Sequence, residues 1–271
     1  MTGATRGPRA VRAAFAAAAG EDRAALVCYL LAGFPSEADA LAAAEAALAS
    51  GADLLEIGVP FSDPLADGPT IAEAGRVALA TGGGLDAAVR LIRGLRDAGH
   101  EQPIMVMTYL NPLLAGGGRE ALRAIADAGG DGLIVPDLPA GGMPQLERLA
   151  AGIGLAMTFL VAPNTGDDRI RAAIAGSTGF LYVVPLLGVT GARASIAEGA
   201  VPLVEHVRRL ADGRLPVAAG FGISTPEQAA QLARVADGVV VGSALVAAVR
   251  DGGADALRPF VSSLAGATAR G

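Results

Sequence analysis

The chain has no lysine and no tryptophan, only one cysteine and two histidines, and its 21 basic residues, all arginine, are outnumbered by 27 acids, for a net charge of −6 over 271 residues. Each shortage excludes something. Without a lysine amine, neither a Schiff base with a carbonyl substrate nor an internal aldimine of pyridoxal phosphate can form on this chain. Cys28 has no partner for an internal disulfide, which fits a reducing cytoplasm, and inside the apolar run Leu26 to Leu31 it reads as small core filler. His100 and His206 fall in polar context, and no spacing of His, Cys and carboxylates suggests a metal site. Arginines scattered through an acidic chain form no basic stripe, and aromatics make up only 4% of it, which argues against nucleic acid as the main partner. Mean hydropathy is high at +0.47, but 60 alanines inflate it. No run approaches the roughly 20 uninterrupted apolar residues of a membrane-spanning helix. Arg6, Arg9 and Arg12 precede an alanine stretch, Ala13 to Ala19, in the manner of a signal peptide. That stretch is short and runs directly into Glu21-Asp22-Arg23, so an amphipathic leading helix is the better reading.

What the sequence does contain is alternation. Short leucine-rich or β-branched runs occur at Ala25 to Leu31, Leu54 to Gly58, Ile104 to Tyr109, Gly132 to Val135, Leu155 to Val161, Phe180 to Val184, Pro216 to Ala219 and Gly238 to Val241. Helical stretches lie between them: Ser36 to Ser50, Leu85 to Ala98, Arg119 to Ala128, Met143 to Ala151, Asp167 to Ala175, Ile196 to Ala211 and Thr225 to Val235. Their starts carry capping signals, Ser36 followed by an acid and Thr225-Pro226-Glu227, and Gly51 and Gly99 serve as stops. Eight strand–helix units predict an α/β fold in which parallel strands close into a single (β/α)8 barrel, the TIM barrel, spanning residues 1–271 as one domain with an extra N-terminal helix. An open doubly wound sheet is the alternative. The intervals from Gly58 to Ile104 and from Val184 to Pro216 exceed what the repeat needs, which predicts extended functional loops after strands two and six.

Glu56 ends the apolar run Asp53-Leu54-Leu55-Glu56-Ile57-Gly58. By strand alternation it shares a face with Leu54, so if Leu55 and Ile57 pack outward, Glu56 points into the barrel mouth. Desolvation there raises a carboxyl pKa, as a group that both gives and takes a proton near neutrality requires; the plainer reading is a strand-end acid that meets an arginine. The loop Val59 to Thr70 follows, with three prolines that shape it and two acids, Asp63 and Asp67. Asp67 either faces the same mouth as an ionised hydrogen-bond acceptor or, like Asp63, caps a turn or the helix starting near Pro69. Glycine-bearing turns Gly188-Val189-Thr190-Gly191, Gly220-Phe221-Gly222-Ile223-Ser224 and Gly242-Ser243 end the later strands, and the last two stand where barrels hold phosphate on backbone amides and a helix N-terminus. Gly82-Gly83-Gly84 follows a helix and reads as a connector. Asp137, in Val135-Pro136-Asp137-Leu138-Pro139, supports the site or starts a turn; Tyr109 and Tyr182 are core aromatics or walls of an aromatic-ligand pocket.

The run Leu55-Glu56-Ile57-Gly58-Val59-Pro60-Phe61-Ser62-Asp63-Pro64-Leu65-Ala66-Asp67-Gly68-Pro69-Thr70-Ile71 closely resembles the signature of the tryptophan synthase α subunit family. Pro136-Asp137-Leu138-Pro139, Gly188-Val189-Thr190-Gly191, Gly220-Phe221-Gly222-Ile223-Ser224 and Gly242-Ser243-Ala244 follow in that family's order, so the likeness spans nearly the whole chain. The resemblance implies a cytoplasmic carbon–carbon lyase of tryptophan biosynthesis that cleaves indole-3-glycerol phosphate to indole and glyceraldehyde 3-phosphate, without cofactor or metal. It implies that Glu56 is the general acid and base and that Asp67 accepts the indole N–H hydrogen bond. Thr190, by the same matching, bonds that aspartate when its loop closes and shuts out water. Tyr29, Tyr109, Asp137 and Tyr182 line or support the indole and glycerol site, and Gly191, Phe221, Gly222, Gly242 and Ser243 hold the phosphate. The absence of lysine fits, because protonating indole C3 makes an iminium-like electron sink inside the substrate. It also sets aside indole-3-glycerol phosphate synthase, whose catalysis uses lysine.

The resemblance implies a partner as well, the pyridoxal-phosphate β subunit, in an α2β2 heterotetramer contacted through Pro60 to Asp67 and Gly188 to Gly199. The chain departs from the family's pattern at Pro185 and Leu186, near which many members have serine and arginine. Tyr29 and Leu31 stand where phenylalanine and threonine are common, and Ala72 stands where glutamine is usual. Two alternatives follow: a free-standing lyase supplying indole to another pathway, and a phosphate-ligand-binding barrel without turnover.

Overall fold

The computed structural model describes residues 6–184, 196–220 and 222–270. Its strands are β1 (Ala25–Leu31), β2 (Leu54–Gly58), β3 (Ile104–Met107), β4 (Gly132–Ile134), β5 (Ala156–Thr158), β6 (Leu160–Val161), β7 (Leu181–Val183), β8 (Val217–Ala219) and β9 (Gly238–Val241). All pair in parallel, in the order β5-β4-β3-β2-β1-β9-β8-β7-β6. The two outer members of that order, β5 and β6, flank Phe159 in one continuous run, so the sheet closes into the expected barrel. The fifth predicted strand is thus split. Its Phe159 amide donates to Ser177 Oγ at 3.2 Å rather than to a neighbouring strand, while its carbonyl accepts from the Tyr182 amide at 3.1 Å. Phe159 is the point where one strand changes partners, from β4 to β7.

The helices are α1 (Pro8–Gly20), α2 (Glu37–Ala49), α3 (Pro69–Ala80), α4 (Leu85–Asp97), α5 (Leu110–Ala115), α6 (Arg119–Asp127), α7 (Pro144–Ile153), α8 (Asp167–Gly176), α9 (Ile196–Ala211), α10 (Pro226–Ala233) and α11 (Ser243–Ala267). The predicted helices fall within a few residues of these. Two were not predicted. The short α5 is one turn and a half, and α11 is broken at Gly252 and Gly253, where Gly253 has φ +61°, so its apolar period changes phase midway. Gly82-Gly83-Gly84 connects α3 to α4, as expected; a Cβ on Gly83 would come within 2.6 Å of the Ala78 carbonyl oxygen.

The strand alternation separates two apolar layers. Leu55 and Ile57 belong to the outer layer between strands and helices, whereas Leu54 lies in the inner one with Ala25, Val27, Met105, Ile134, Ala156, Phe180, Ala218 and Val240. Helix α1 plugs the N-terminal end of this inner layer with Val11, Phe15 and Ala18; the Phe15 and Phe180 rings lie 5.3 Å apart. Glycine at position 238 makes room for that plug, since a Cβ there would meet Phe15 Cε1 at 2.6 Å.

Beside the plug, three aspartates repeat one device. Asp53, Asp131 and Asp237 each precede a strand (β2, β4 and β9) and accept the amide of the adjoining strand: Leu26 at 2.7 Å, Ile104 at 2.9 Å and Val217 at 2.9 Å. Each also binds an arginine: Arg23 at 2.6 and 2.8 Å, Arg96 at 2.8 Å and Arg208 at 3.0 Å. Arg96 uses all five of its donors, on Asp131 and on the carbonyls of His100, Gln102 and Gly129. A lysine offers three donors and no planar fork, so this rim is built for arginine.

Candidate active site

At the opposite, C-terminal end of the barrel two acids, Glu56 and Asp67, form no ion pair among the described residues. Glu56 is 1% exposed and shares the inward face of β2 with Leu54, as alternation predicts. Its Oε2 has no hydrogen-bond partner among the described residues. Burial, with a smaller contribution from the negative charge of Asp67, pushes its pKa up to about 8. A carboxyl group that is neutral at pH 7 in a shielded site is a proton donor in waiting. The reading of Glu56 as a strand-end acid paired with arginine is therefore set aside.

Asp67 lies in the loop joining β2 to α3 and is partly buried. Burial raises its pKa to about 6, offset in part by the neighbouring Tyr109 hydroxyl. The loop is pinned to the end of β3 from two sides: the Ala66 amide donates to Tyr109 Oη at 2.9 Å, and the Phe61 ring lies 5.3 Å from that of Tyr109. Tyr109 is itself 4% exposed and is held by its own neighbour, because the Leu110 amide donates to Asp137 Oδ1 at 2.9 Å. Asp137 thus starts α5 and supports the site in one contact. Asp63 stays exposed in the same loop.

Tyr29 on β1 is the register partner of Glu56, and Tyr182 on β7 lies partly buried on the inner layer. Each tyrosine packs over a glycine, Gly58 and Gly220, for which the sequence suggested no such role. A Cβ on Gly58 would sit 2.6 Å from Tyr29 Cζ, and one on Gly220 would sit 2.9 Å from Tyr182 Oη. The available signal was positional: Gly58 stands two residues after Glu56, on the same inward face.

Two helix N-termini follow the last strands, and they differ. The first turn of α10 is closed by a capping box in which the Thr225 side chain accepts the Gln228 amide. Helix α11, preceded by Gly242, has no side-chain cap, which leaves the amides around Ser243 open to an anion. Gly222, at φ +66° in the turn after β8, has a conformation that glycine adopts without strain. Thr190, Gly191 and Phe221, together with Pro185, Leu186 and most of the extended loop after the sixth predicted strand, lie outside the described residues. Of the other departures from the family pattern, Tyr29 and Leu31 are buried on β1, and Ala72 lies on α3. A cavity of about 710 Å³ opens at the far end, between α1 and α9, lined in part by Arg12, Phe15, Glu205 and Arg208. It contains neither unpaired carboxylate, and Arg208 in it is already bound to Asp237. Among the described residues no three of His, Cys, Asp and Glu come together as metal ligands, and no helix is long and apolar enough to cross a membrane. His206 bonds Asp167 on α8 at 2.8 Å, away from the carboxylate pair.

The sequence matches the family model described as tryptophan synthase alpha chain over residues 15–264. A tryptophan synthase alpha chain from Deinococcus radiodurans is 45% identical over 253 residues, which cover 93% of this chain and 92% of that one. One from Carboxydothermus hydrogenoformans is 46% identical over 82% of each chain. Among solved structures, tryptophan synthase from M. tuberculosis, in an open form, superposes with a TM-score of 0.88 at 38% identity and covers 97% of this chain and 99% of its own. Tryptophan synthase subunit alpha from Legionella pneumophila superposes with a TM-score of 0.86 at 31% identity, over 98% and 99%. With two acids at the barrel mouth, an open helix N-terminus beyond Tyr29 and likeness along almost its full length, this chain belongs to the tryptophan synthase alpha chain family.

Proposed function

We propose that this chain carries out the alpha reaction of tryptophan biosynthesis, cleaving indole-3-glycerol phosphate to indole and glyceraldehyde 3-phosphate on one barrel domain in the cytoplasm. The observation that carries the reading is Glu56: a buried, inward-facing carboxyl, neutral near pH 7, one oxygen of which has no hydrogen-bond partner among the described residues. The substrate phosphate sits at the open N-terminus of α11, on Gly242 and Ser243, with Gly222 beside it; Phe221 and Gly191 complete that set by sequence. The indole ring lies among Tyr29, Tyr109 and Tyr182, between the two acids.

Glu56 gives its proton to indole C3, and the ring nitrogen becomes iminium-like. Asp67, ionised near neutrality, accepts the hydrogen bond of the increasingly acidic N–H. Glu56, now a carboxylate, takes the proton of the glycerol hydroxyl next to the ring. The carbon–carbon bond then breaks, its electron pair returns to the indole and the aldehyde departs. One proton leaves Glu56 and one returns, so the residue is restored at each turnover. Asp137 positions Tyr109, and Thr190 closes over Asp67.

The partner is the tryptophan synthase β subunit, in an α2β2 complex. Leu65, 80% exposed at the tip of the loop that carries Asp67, is an apolar contact suited to such a partner. Cleavage of indole-3-glycerol phosphate by the purified chain, measured with and without β subunit, tests the reading. Indole release stimulated by the β subunit is expected. Strong turnover that the β subunit leaves unchanged points instead to a free-standing lyase, and binding without cleavage to a non-catalytic barrel.

A further inference from the structure

Tyr29 has a placement that general acid–base chemistry does not use. Its strand, β1, lies between β2 and β9. On the β9 side, its Cβ and Cδ1 are 3.5 and 3.6 Å from the point where Gly242 would carry a Cβ, beside the open start of α11. On the β2 side, its ring reaches over Gly58, with the hydroxyl nearer still to the missing Cβ than Cζ at 2.6 Å. Gly58 faces the same way as Glu56 but is one layer nearer the mouth. The side chain therefore spans from the phosphate seat to a point directly above Glu56. It is 4% exposed, and its hydroxyl donates to none of the described residues. Burial and the negative charges of Asp67 and Glu56 push its pKa upward, so it remains a neutral donor. Tyr109 and Tyr182 are the other titratable groups that face it.

We propose that the Tyr29 hydroxyl holds the middle hydroxyl of the substrate's glycerol chain, the one that the cleavage leaves unchanged. The inference rests on the reaction proposed above. With the phosphate at α11 and the reacting carbon at Glu56, the carbon between them passes over Tyr29, and its hydroxyl is the polar group within that span. A hydroxyl that takes no part in bond breaking is a handle for binding and register. A site built to bond such a hydroxyl discriminates against analogues that lack it.

Tyr29→Phe in the full chain tests this, because the ring is retained and only the hydroxyl is lost. Two quantities are measured: kcat/KM for indole-3-glycerol phosphate, and the Kd of the phosphate ester of 3-(indol-3-yl)propan-1-ol, which lacks both glycerol hydroxyls. The expected result is a kcat/KM lower by about tenfold, mostly through KM, with the Kd of the deoxy ester unchanged within about twofold. An unchanged kcat/KM overturns the proposal. So does an equal loss for substrate and deoxy ester, which assigns Tyr29 to packing alone. Failure of the parent chain to cleave the substrate overturns the proposed reaction itself, and is thereby told apart from failure of the Tyr29 assignment.

Discussion

At the N-terminal rim of the barrel, Asp53, Asp131 and Asp237 each bind an arginine and a backbone amide; at the C-terminal rim, Glu56 and Asp67 form no ion pair among the described residues. The same residue types in the same barrel thus do opposite work. At the first rim a guanidinium and a backbone amide bind each carboxylate and fasten a strand end; burial raises the pKa of Asp131, and its hydrogen bonds and the Arg96 charge oppose that rise. At the second rim no cation stands beside either acid among the described residues, so burial carries the pKa of Glu56 up to about 8 and that of Asp67 to about 6, and Glu56 becomes a proton carrier. Stability is concentrated at one end of the fold and chemistry at the other, as expected for barrels whose sites are built on the loops after the strands.

The comparison breaks most sharply at Glu56. Glu56→Gln is expected to lower turnover by about 10³-fold, within the range for loss of a general acid–base group, as read by indole release. The same variant should fold more stably. The folded parent holds this proton up to about pH 8, whereas the unfolded chain releases it near 4.5, as an ordinary glutamate does. Folding therefore loses stability as pH rises from about 4.5 to about 8. Glutamine removes that loss, so its advantage should be on the order of 4 kcal/mol at pH 8 and vanish near pH 4 in denaturant unfolding. Glutamine that destabilises at pH 8 would place Glu56 with the structural acids of the other rim.

The next largest effect concerns Asp67. Asp67→Asn should reduce kcat/KM by about 10²-fold, comparable with loss of one electrostatic stabiliser. The parent profile of kcat/KM against pH should be a bell with limbs near 6 and 8, since the reaction needs Asp67 ionised and Glu56 protonated. The acid limb should disappear in Asp67→Asn. A limb that persists there belongs to the substrate phosphate instead.

A smaller effect, confined to stability, is expected at the opposite rim. Arg96→Lys keeps the charge beside the fully buried Asp131 but cannot replace five donors in a fork. It should destabilise by about 2 kcal/mol in urea unfolding and leave turnover per folded molecule within about twofold. A large fall in turnover of the folded protein would show that the two rims are coupled.

Much of this was legible in the sequence, for reasons that can be named. Glu56 points inward because side chains alternate along a strand and its neighbours Leu55 and Ile57 are apolar, a local rule that the inner and outer layers bear out. The start of α10 was legible because Thr225, Pro226 and Gln228 make their contacts within one turn. The split at Phe159 was not, because it depends on Ser177, 18 residues later. Nor was the choice of Gly58 as the seat for Tyr29, which depends on how β1 and β2 align.

By itself the sequence determined the alternation of strands and helices, the inward acid and its shaped loop, and, by lacking lysine, a chemistry without a resident Schiff base. These follow from local geometry and from side-chain chemistry. Tertiary structure alone decided which carboxylates bind arginine and which, among the described residues, form no ion pair, and which helix start carries no side-chain cap. It also placed the Tyr29 hydroxyl. Those outcomes depend on desolvation and on contacts between strands far apart in the chain, and no short window of residues contains them.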